Sequence, residues 1–340
     1  MRYGIAVLAT GGAEYQPEEY LWGQDPRVMT HHQFDAELRE RAAMVKKADS
    51  AVFIQCVGSR EPGCMYCSRV CCTHSVMSAM RLKELNPDMR VFILYRDMRT
   101  YGQREDLYTR ARELGVIFIR FDLEYKPEVH KEGAALRVKV MDPILGRPLR
   151  LEADYLVLAS AIVPHDQQEL TELFKCGVNP DGFLNEAHPK LRPVDLTVDG
   201  LFAAGLCHHP KPLDEAVSQA KAAVSRAGVI LAKAAMQLDA IKSEVTATCD
   251  GCALCLDVCP YRAIKLEEYG DNGHARRRIV TDKALCKGCG LCEATCPKEG
   301  VTVHGFTQGQ LKAQVDAVLE ALGLQLAVSS QLPAKNHSKQ

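Results

Sequence analysis

The segment CDGCALCLDVCP at 249–260 returns as CKGCGLCEATCP at 286–297. Both follow C-x2-C-x2-C-x3-C, and each closes on a proline, Pro260 and Pro297. A tight C-x2-C-x2-C loop wraps three thiolates round one corner of a cubane, and the fourth thiolate comes from the other run. The spacing therefore predicts one [4Fe–4S] cluster on Cys249, Cys252, Cys255 and Cys296, and a second on Cys286, Cys289, Cys292 and Cys259. Gly251, Gly288 and Gly290 let backbone amides approach the sulfurs. Structural zinc favours four ligands in two separated C-x2-C pairs, which two complete runs with their prolines do not match.

This is the bacterial two-cluster ferredoxin spacing, and it predicts an α+β domain over 241–306. Clusters of this type carry one electron each, so a pair makes a wire. Beyond it, a helix near 308–322 sets Leu311, Val315, Val318, Leu319 and Leu322 on one face. That stripe is expected to dock on the ferredoxin domain or on a partner. The last stretch, 328–340, is polar and is expected to be disordered.

Upstream of the motif the pattern changes to alternating strands and helices. Residues 51–57 (AVFIQCV) read as a strand, 68–85 as a helix, 90–95 (RVFILY) as a strand, 104–114 as a helix and 116–121 (VIFIRF) as a strand. This βαβαβ order predicts a parallel sheet with helices on its faces. Residues 128–153 alternate polar and apolar with Gly133 and Gly146 at the turns, an antiparallel meander, and 155–160 (YLVLAS) is a further buried strand. At the start, 4–9 (GIAVLA) reads as a buried strand closed by Gly11 and Gly12, not as a signal peptide. A helical stretch lies near 33–47. Residues 161–200 are loop-rich, 201–205 (LFAAG) form a short strand, and a helix runs from about 213 to 238.

The chain has 340 residues, enough for two or three domains, and its net charge is −1. Near-neutrality gives no footprint for nucleic acid. No apolar run reaches the ~20 residues of a membrane span; the nearest, 222–236, is broken by Arg226 and Lys233. Fifteen cysteines are present, and only Cys176 and Cys207 stand outside two groups. Clusters at metal-ligand spacing in a long chain imply a reducing, cytoplasmic setting and bound iron, not a disulfide scaffold.

The second group is CVGSREPGCMYCSRVCC at 56–72. Cys56 ends a strand, Cys64 and Cys67 precede the helix, and Cys71 and Cys72 lie in its first turns. Cys67 and Cys71, at i and i+4, are placed on one helix face. In a nicotinamide-binding domain this turn would carry G-x-G-x-x-G, which is absent here. The helix N-terminus stays available to an anion such as a thiolate-ligated cluster. A redox dithiol, a zinc site, buried structural cysteines and an iron–sulfur cluster all fit the spacing.

The runs QCVGSR and YCSRVCC, HPKLRP at 188–193, GLFAAGLCHHPKPLDEAVSQA at 200–220 and the doubled motif occur in one order. Together they closely resemble the A subunit of heterodisulfide reductase and its relatives in anaerobes, over roughly 3–322. These are flavin- and iron–sulfur-containing electron-transfer subunits on a thioredoxin-reductase-like, two-dinucleotide-binding α/β fold. The resemblance implies a third four-iron cluster on Cys56, Cys67, Cys71 and Cys72, with Cys64 an extra or a substitute. It implies FAD, with GLFAAG similar to the second FAD fingerprint, so that Gly11, Gly12, Gly205, Leu206, Cys207 and Leu213 become the cofactor-binding candidates. Relatives of thioredoxin reductase place Asp after that glycine; Leu206 and Cys207 stand here.

Family members carry an N-terminal FAD lobe with its own G-x-G-x-x-G before the segment matching GIAVLATGG. This chain is expected to correspond to the C-terminal part, with 1–47 a remnant of the FAD domain. Residues 48–160 are then a nicotinamide-domain-like unit carrying cysteines, 161–240 the second part of the FAD domain, and 307–340 a C-terminal helix and tail. The implied role is electron transfer within a multi-subunit oxidoreductase, with no catalytic residue of its own. The implied partners are the other subunits, hydrogenase- or ferredoxin-type donors, and a separate polypeptide supplying the FAD lobe. The competing readings are a flavin-free ferredoxin-like relay and an NAD(P)H-dependent flavoenzyme like the small subunit of glutamate synthase. The missing glycine fingerprints argue against the latter.

Overall fold

A computed structural model describes residues 4–235, 241–270 and 276–322. The chain divides into two units, 1–233 and 234–340.

Unit 1 opens with β1 (Ala6–Leu8), β2 (Gly12–Glu14), β3 (Val28–Thr30), α1 (His31–Glu40) and the short α2 (Ala42–Val45). The alternating stretch follows as β4 (Ser50–Val57), α3 (Cys71–Leu85), β5 (Arg90–Tyr95), α4 (Glu105–Glu113) and β6 (Ile117–Arg120). Then come β7 (Glu128–Glu132), β8 (Ala135–Asp142), β9 (Arg147–Glu152) and β10 (Tyr155–Ser160). The unit ends with β11 (Ile162–Pro164), α5 (Gln168–Phe174), β12 (Glu186–His188), β13 (Arg192–Leu196), β14 (Leu201–Ala203) and α6 (Leu213–Leu231).

The main sheet is parallel, in the order β3-β10-β4-β5-β6. All eight residues of β4 are buried, as a central parallel strand covered on both sides demands. Its side chains alternate between two cores. Ala51 and Phe53 face Phe34, Val76, Ala79 and Leu82 of α1 and α3. Val52 and Ile54 face Leu136, Val138 and Val140 of β8. Among the described residues, helices therefore cover one face only. The β7-β8-β9 meander covers the other, because β8 presents an apolar residue at every second position. The β3 strand and α1, within the 1–47 segment, join this sheet and its core.

The second sheet of unit 1 is β1-β14-β13-β12, with β1 and β14 parallel and the rest antiparallel. Ala223 and Ala227 of α6 pack against it beside Val194, Phe202 and Ala204. Three expectations change here. The 4–9 strand shrinks to β1, with Val7 exposed to solvent. The loop-rich 161–200 region contains β11, α5, β12 and β13. The α6 helix ends at Leu231, and 236–238 of the expected helix lie outside the described residues.

Unit 2 contains β15 (Ser243–Val245), α7 (Leu254–Asp257), β16 (Ile264–Tyr269), β17 (Arg276–Thr281), α8 (Leu291–Thr295), β18 (Val301–Val303) and α9 (Gln308–Ala321). The β15–β18 and β16–β17 pairs are antiparallel. Along α9 and its cap, Leu311, Val315, Val318 and Leu322 are exposed and Leu319 is half-buried, so most of the expected apolar stripe is open among the described residues. The expected tail at 328–340 lies outside the described residues. Among the described residues no helix is long and apolar enough to cross a membrane.

Candidate metal centres and cofactor turn

The two motifs of unit 2 fold alike. Gly251 and Gly288 take φ of +73° and +63°. A Cβ on Gly251 would stand 2.5 Å from the Arg277 carbonyl oxygen, and one on Gly288 2.6 Å from that of Ile241. Ala253 and Gly290 begin α7 and α8 at φ +67° and +82°. Alanine bears a steric cost there that glycine does not. Ala253→Gly should therefore stabilise the holo-chain by about 0.5–1 kcal/mol after glycine's entropy is set against the relieved strain, read as a higher denaturant midpoint. Gly288→Ala should instead displace the Cys286 loop and lower bound iron; unchanged iron in Gly288→Ala would refute this account of the loop.

Cys259, Cys286, Cys289 and Cys292 line one cavity, and Ser243, Tyr261, Lys287 and Val303 are among the other residues of its wall. Cys259 therefore shares a wall with the second run while still packing near its own. Its sulfur accepts the Ala263 N–H at 3.3 Å. The Cys286 sulfur accepts N–H groups from Ser243 and Gly288, both at 3.4 Å. Burial raises the Cys286 pKa, and these donors more than offset it, so the thiol ends below its ordinary value. In the first run Cys255 is buried against Cys292, Ile264 and Val301, with Cys249, Cys259 and Cys296 packed round them. Burial pushes its thiol up to about 11, and neighbouring Cys292, Cys249 and Cys252 add to the rise. The 296–300 segment lies along Cys249: Gly300 donates to the Cys296 sulfur at 3.1 Å, and its Cβ position is 2.9 Å from the Cys249 Cα. Lys298 pairs with Asp250.

In unit 1 the 56–72 cysteine group sits at the carboxyl end of β4. There the strand order turns, with β10 on one side and β5 on the other, the usual place for a ligand in an open parallel sheet. Cys56, Cys71 and Cys72 are buried, and Cys67 is half-buried. The Cys71 thiol has Cys72, Cys56 and Cys67 as its electrostatic neighbours. Cys64 stands apart. Its backbone pairs with Glu61 in a tight turn, and its thiol meets Tyr66.

The helix begins at Cys71, not at 68, so Cys67 and Cys71 do not share a helix face. Arg69 is left-handed, at φ +62°, and breaks the helix before that point. Its N–H reaches the Cys67 sulfur at 3.3 Å. Val70, the cap residue, offers no side-chain cap, so the first-turn amides beside Cys71 and Cys72 remain free to face an anion.

Arginines surround the group. Arg96 is buried and donates to the carbonyls of Ser59 and Arg60 at 2.6 and 2.7 Å. Arg60 pairs with Asp97 and approaches the Cys56 sulfur at 4.0 Å. The Cys71 hydrogen bond, opposed by burial and helped by the Arg99 N–H and the Arg60 and Arg99 charges, draws Cys72 down to about 7. That same bond and burial push Cys71 well up. Sequence reading missed these cations. Arg60 and Arg69 stand beside the cysteines in the sequence, but Arg96 arrives from β5.

The cofactor candidates gather at the carboxyl ends of parallel β1 and β14. A Cβ on Gly12 would lie 3.5 Å from that of Leu206, while Gly11 and Gly205, at φ +78° and +83°, have open space beside them. The Cys207 thiol turns inward, donating to Leu8 or Ala204 carbonyls at 3.2 Å, so this residue offers only its backbone to a ligand. Leu213 is exposed at the start of α6. The next two residues are already engaged: Asp214 pairs with Arg104, and Glu215 with Arg69 at 2.7 Å. Lys211 donates to the Gly205 carbonyl at 2.6 Å, and burial lowers its pKa to about 8. Sequence reading passed over this lysine.

A duplicated four-cysteine motif, with a second thiol group elsewhere in the chain, marks an iron–sulfur protein. A family model described as a 4Fe-4S dicluster domain matches residues 248–300. The second iron-sulfur A subunit of the CoB--CoM heterodisulfide reductase of Methanopyrus kandleri is 36% identical over 286 residues, 78% of this chain and 43% of that protein. The A subunit of the H(2)/formate:CoB-CoM heterodisulfide,ferredoxin reductase of Methanococcus maripaludis is 34% identical over 342 aligned positions, 94% of this chain and 51% of that protein. Among solved structures, thioredoxin reductase of Lactococcus lactis is similar over 67% of each chain, at 16% identity and a TM-score of 0.44. The chain belongs to the family of heterodisulfide reductase A subunits, and it spans about half the length of the curated relatives it matches, or less.

Proposed function

We propose that this chain is an electron-transfer part of a heterodisulfide reductase-like oxidoreductase of the cytoplasm, working only within a complex. The single observation that carries the reading is the cavity shared by Cys259 with Cys286, Cys289 and Cys292. Those four thiols would hold one [4Fe–4S] cluster. Cys249, Cys252, Cys255 and Cys296 would hold another, and Cys56, Cys67, Cys71 and Cys72 a third. Soft thiolate sets with backbone N–H donors suit iron–sulfur clusters. Bound clusters supply one-electron transfer, and bound FAD exchanges electrons singly or in pairs.

The chain's own residues set the surroundings. The free amides of α3 and the guanidinium groups of Arg60, Arg96 and Arg99 offset the negative charge of the third site. The turns at Gly11–Gly12 and Gly205–Cys207 would meet the flavin through backbone groups. The relatives are named for heterodisulfide, ferredoxin, hydrogen and formate. Other subunits of such a complex and hydrogenase- or ferredoxin-type donors are the partners proposed here.

Anaerobic purification with iron, sulfide and flavin quantitation, joined to a pull-down of partners, tests the reading. Changing Cys67, Cys71 and Cys72 together to Ser should remove about four irons per chain and leave the dicluster signals intact. Unchanged iron, or zinc in the native chain, would refute the third site. Iron without flavin, even when partners are bound, would select the flavin-free relay.

A further inference from the structure

Each half of unit 2 is a control for the other, because the motifs repeat. One donor is matched between them: Ala263 N–H to the Cys259 sulfur at 3.3 Å, and Gly300 N–H to the Cys296 sulfur at 3.1 Å. With crossed ligands, each site receives one of these bonds and they cancel in any comparison.

The remaining donors do not cancel. The Cys286 sulfur also accepts the N–H groups of Ser243 and Gly288 at 3.4 Å. The Ser243 hydroxyl stands 3.5 Å from the same sulfur and 3.0 Å from the Thr281 hydroxyl. A ligated thiolate only accepts, so that hydroxyl donates to it and takes its own bond from Thr281. Lys242, 9% exposed, donates to the Cys286 carbonyl at 2.7 Å and brings a buried positive charge to this loop.

Cys249 holds the equivalent place in the first motif. The hydroxyls near it, Thr246 and Thr248, are directed to the Glu299 carbonyl at 2.8 and 3.1 Å instead of to a sulfur. A cation near this site, Lys298, is solvent-exposed and paired with Asp250. Reduction adds a negative charge to a cluster. Hydrogen bonds to its sulfurs and an unscreened nearby cation favour the reduced form and raise the potential.

We infer that the Cys259, Cys286, Cys289 and Cys292 site is the more easily reduced of the two in unit 2, and that Lys242 and Ser243 are the positioning residues that set the difference. This rests on the ligand reading proposed above. Electrons entering the unit would therefore collect on the Cys286 side.

The test is an EPR-monitored redox titration of the full chain, reconstituted anaerobically with iron and sulfide. The native chain should show two waves in unit 2. Ser243→Ala and Lys242→Met should each lower the higher wave. For Lys242→Met the reduced-to-oxidised ratio at fixed potential should fall about tenfold, or about 59 mV for one electron. The lower wave should stay in place, and Lys242→Arg should restore most of the loss. Lys298→Met should move neither wave as far. A higher wave indifferent to both Ser243 and Lys242, or a lower wave that moves instead, would overturn the assignment. Should Lys242→Met lose a cluster outright, the surviving wave must be the lower one; survival of the higher wave overturns it equally. A native chain without two clusters in unit 2 would refute the ligand reading itself, whereas two clusters of equal potential would refute only this ordering.

Discussion

Replacing Cys259 by Ala should abolish the cluster built on Cys286, Cys289 and Cys292 and spare the one built on its own sequence neighbours. Iron bound by unit 2 should fall from about eight to about four per chain. The EPR signal that remains should be the one lost in Cys252→Ala. The geometry behind this is local. Cys259 leaves α7 through a turn in which Arg262 takes φ +48°, and its sulfur faces the same cavity as the second run. Tyr261, on that wall, has Cys289, Cys259 and Cys286 as its electrostatic neighbours. Cys296 makes the reciprocal excursion toward Cys249, fixed by the β15–β18 pairing that brings Gly300 to Thr246. Cys296→Ala should therefore show the opposite pattern. If Cys259→Ala instead removes the Cys249, Cys252 and Cys255 signal, the ligands are not crossed.

Much of this was legible in the sequence because thiol spacing and strand periodicity are local signals. The parallel run from β4 to β6 and the β7–β9 meander follow from apolar periods of two and 3.6. The layer order does not. That the meander, and not helices, covers the second face depends on Val52 and Ile54 meeting Val138 and Val140, a contact between strands far apart in sequence.

The 161–200 region was opaque for another reason. Its strands are short, and much of their anchoring is polar: Arg192 and Arg226 both reach the buried Asp195, at 3.1 and 2.9 Å. Such strands carry little hydrophobic alternation to read. At the cysteine group, Ser68 and Arg69 continue a helical pattern in sequence, yet Arg69 adopts φ +62° and the helix waits for Cys71. Ser68 is fully buried and accepts the Ile162 N–H at 2.9 Å, which ties the loop to β11. The supporting cations at both centres share this tertiary character. Arg96 and Lys242 act through backbone carbonyls that no motif encodes.

The 340-residue chain, purified anaerobically, should be brown from iron yet poor in FAD. It contains no G-x-G-x-x-G, the element whose glycines and following helix N-terminus hold a pyrophosphate. What it does present is one turn at the ends of β1 and β14. Gly11 and Gly205 leave room there, the Cys207 thiol points away, and Gln219 already accepts the Gly205 N–H at 2.9 Å. The start of α6 adds little attraction for an anionic flavin, because Asp214 and Glu215 occupy its first turn. Arg104 and Arg69 are committed to those carboxylates. Backbone contacts to the ring and ribityl chain would then have to act without the adenosine and pyrophosphate contacts that dominate dinucleotide affinity. Supplying a glycine-fingerprint lobe, as a separate polypeptide or by fusion, should restore stoichiometric flavin. The measurement is the flavin-to-iron ratio after gel filtration, with and without that lobe. A yellow, fully flavinylated preparation of this chain alone would show that the β1–β14 turn suffices. A lobe that binds the chain without raising the ratio would place the flavin elsewhere.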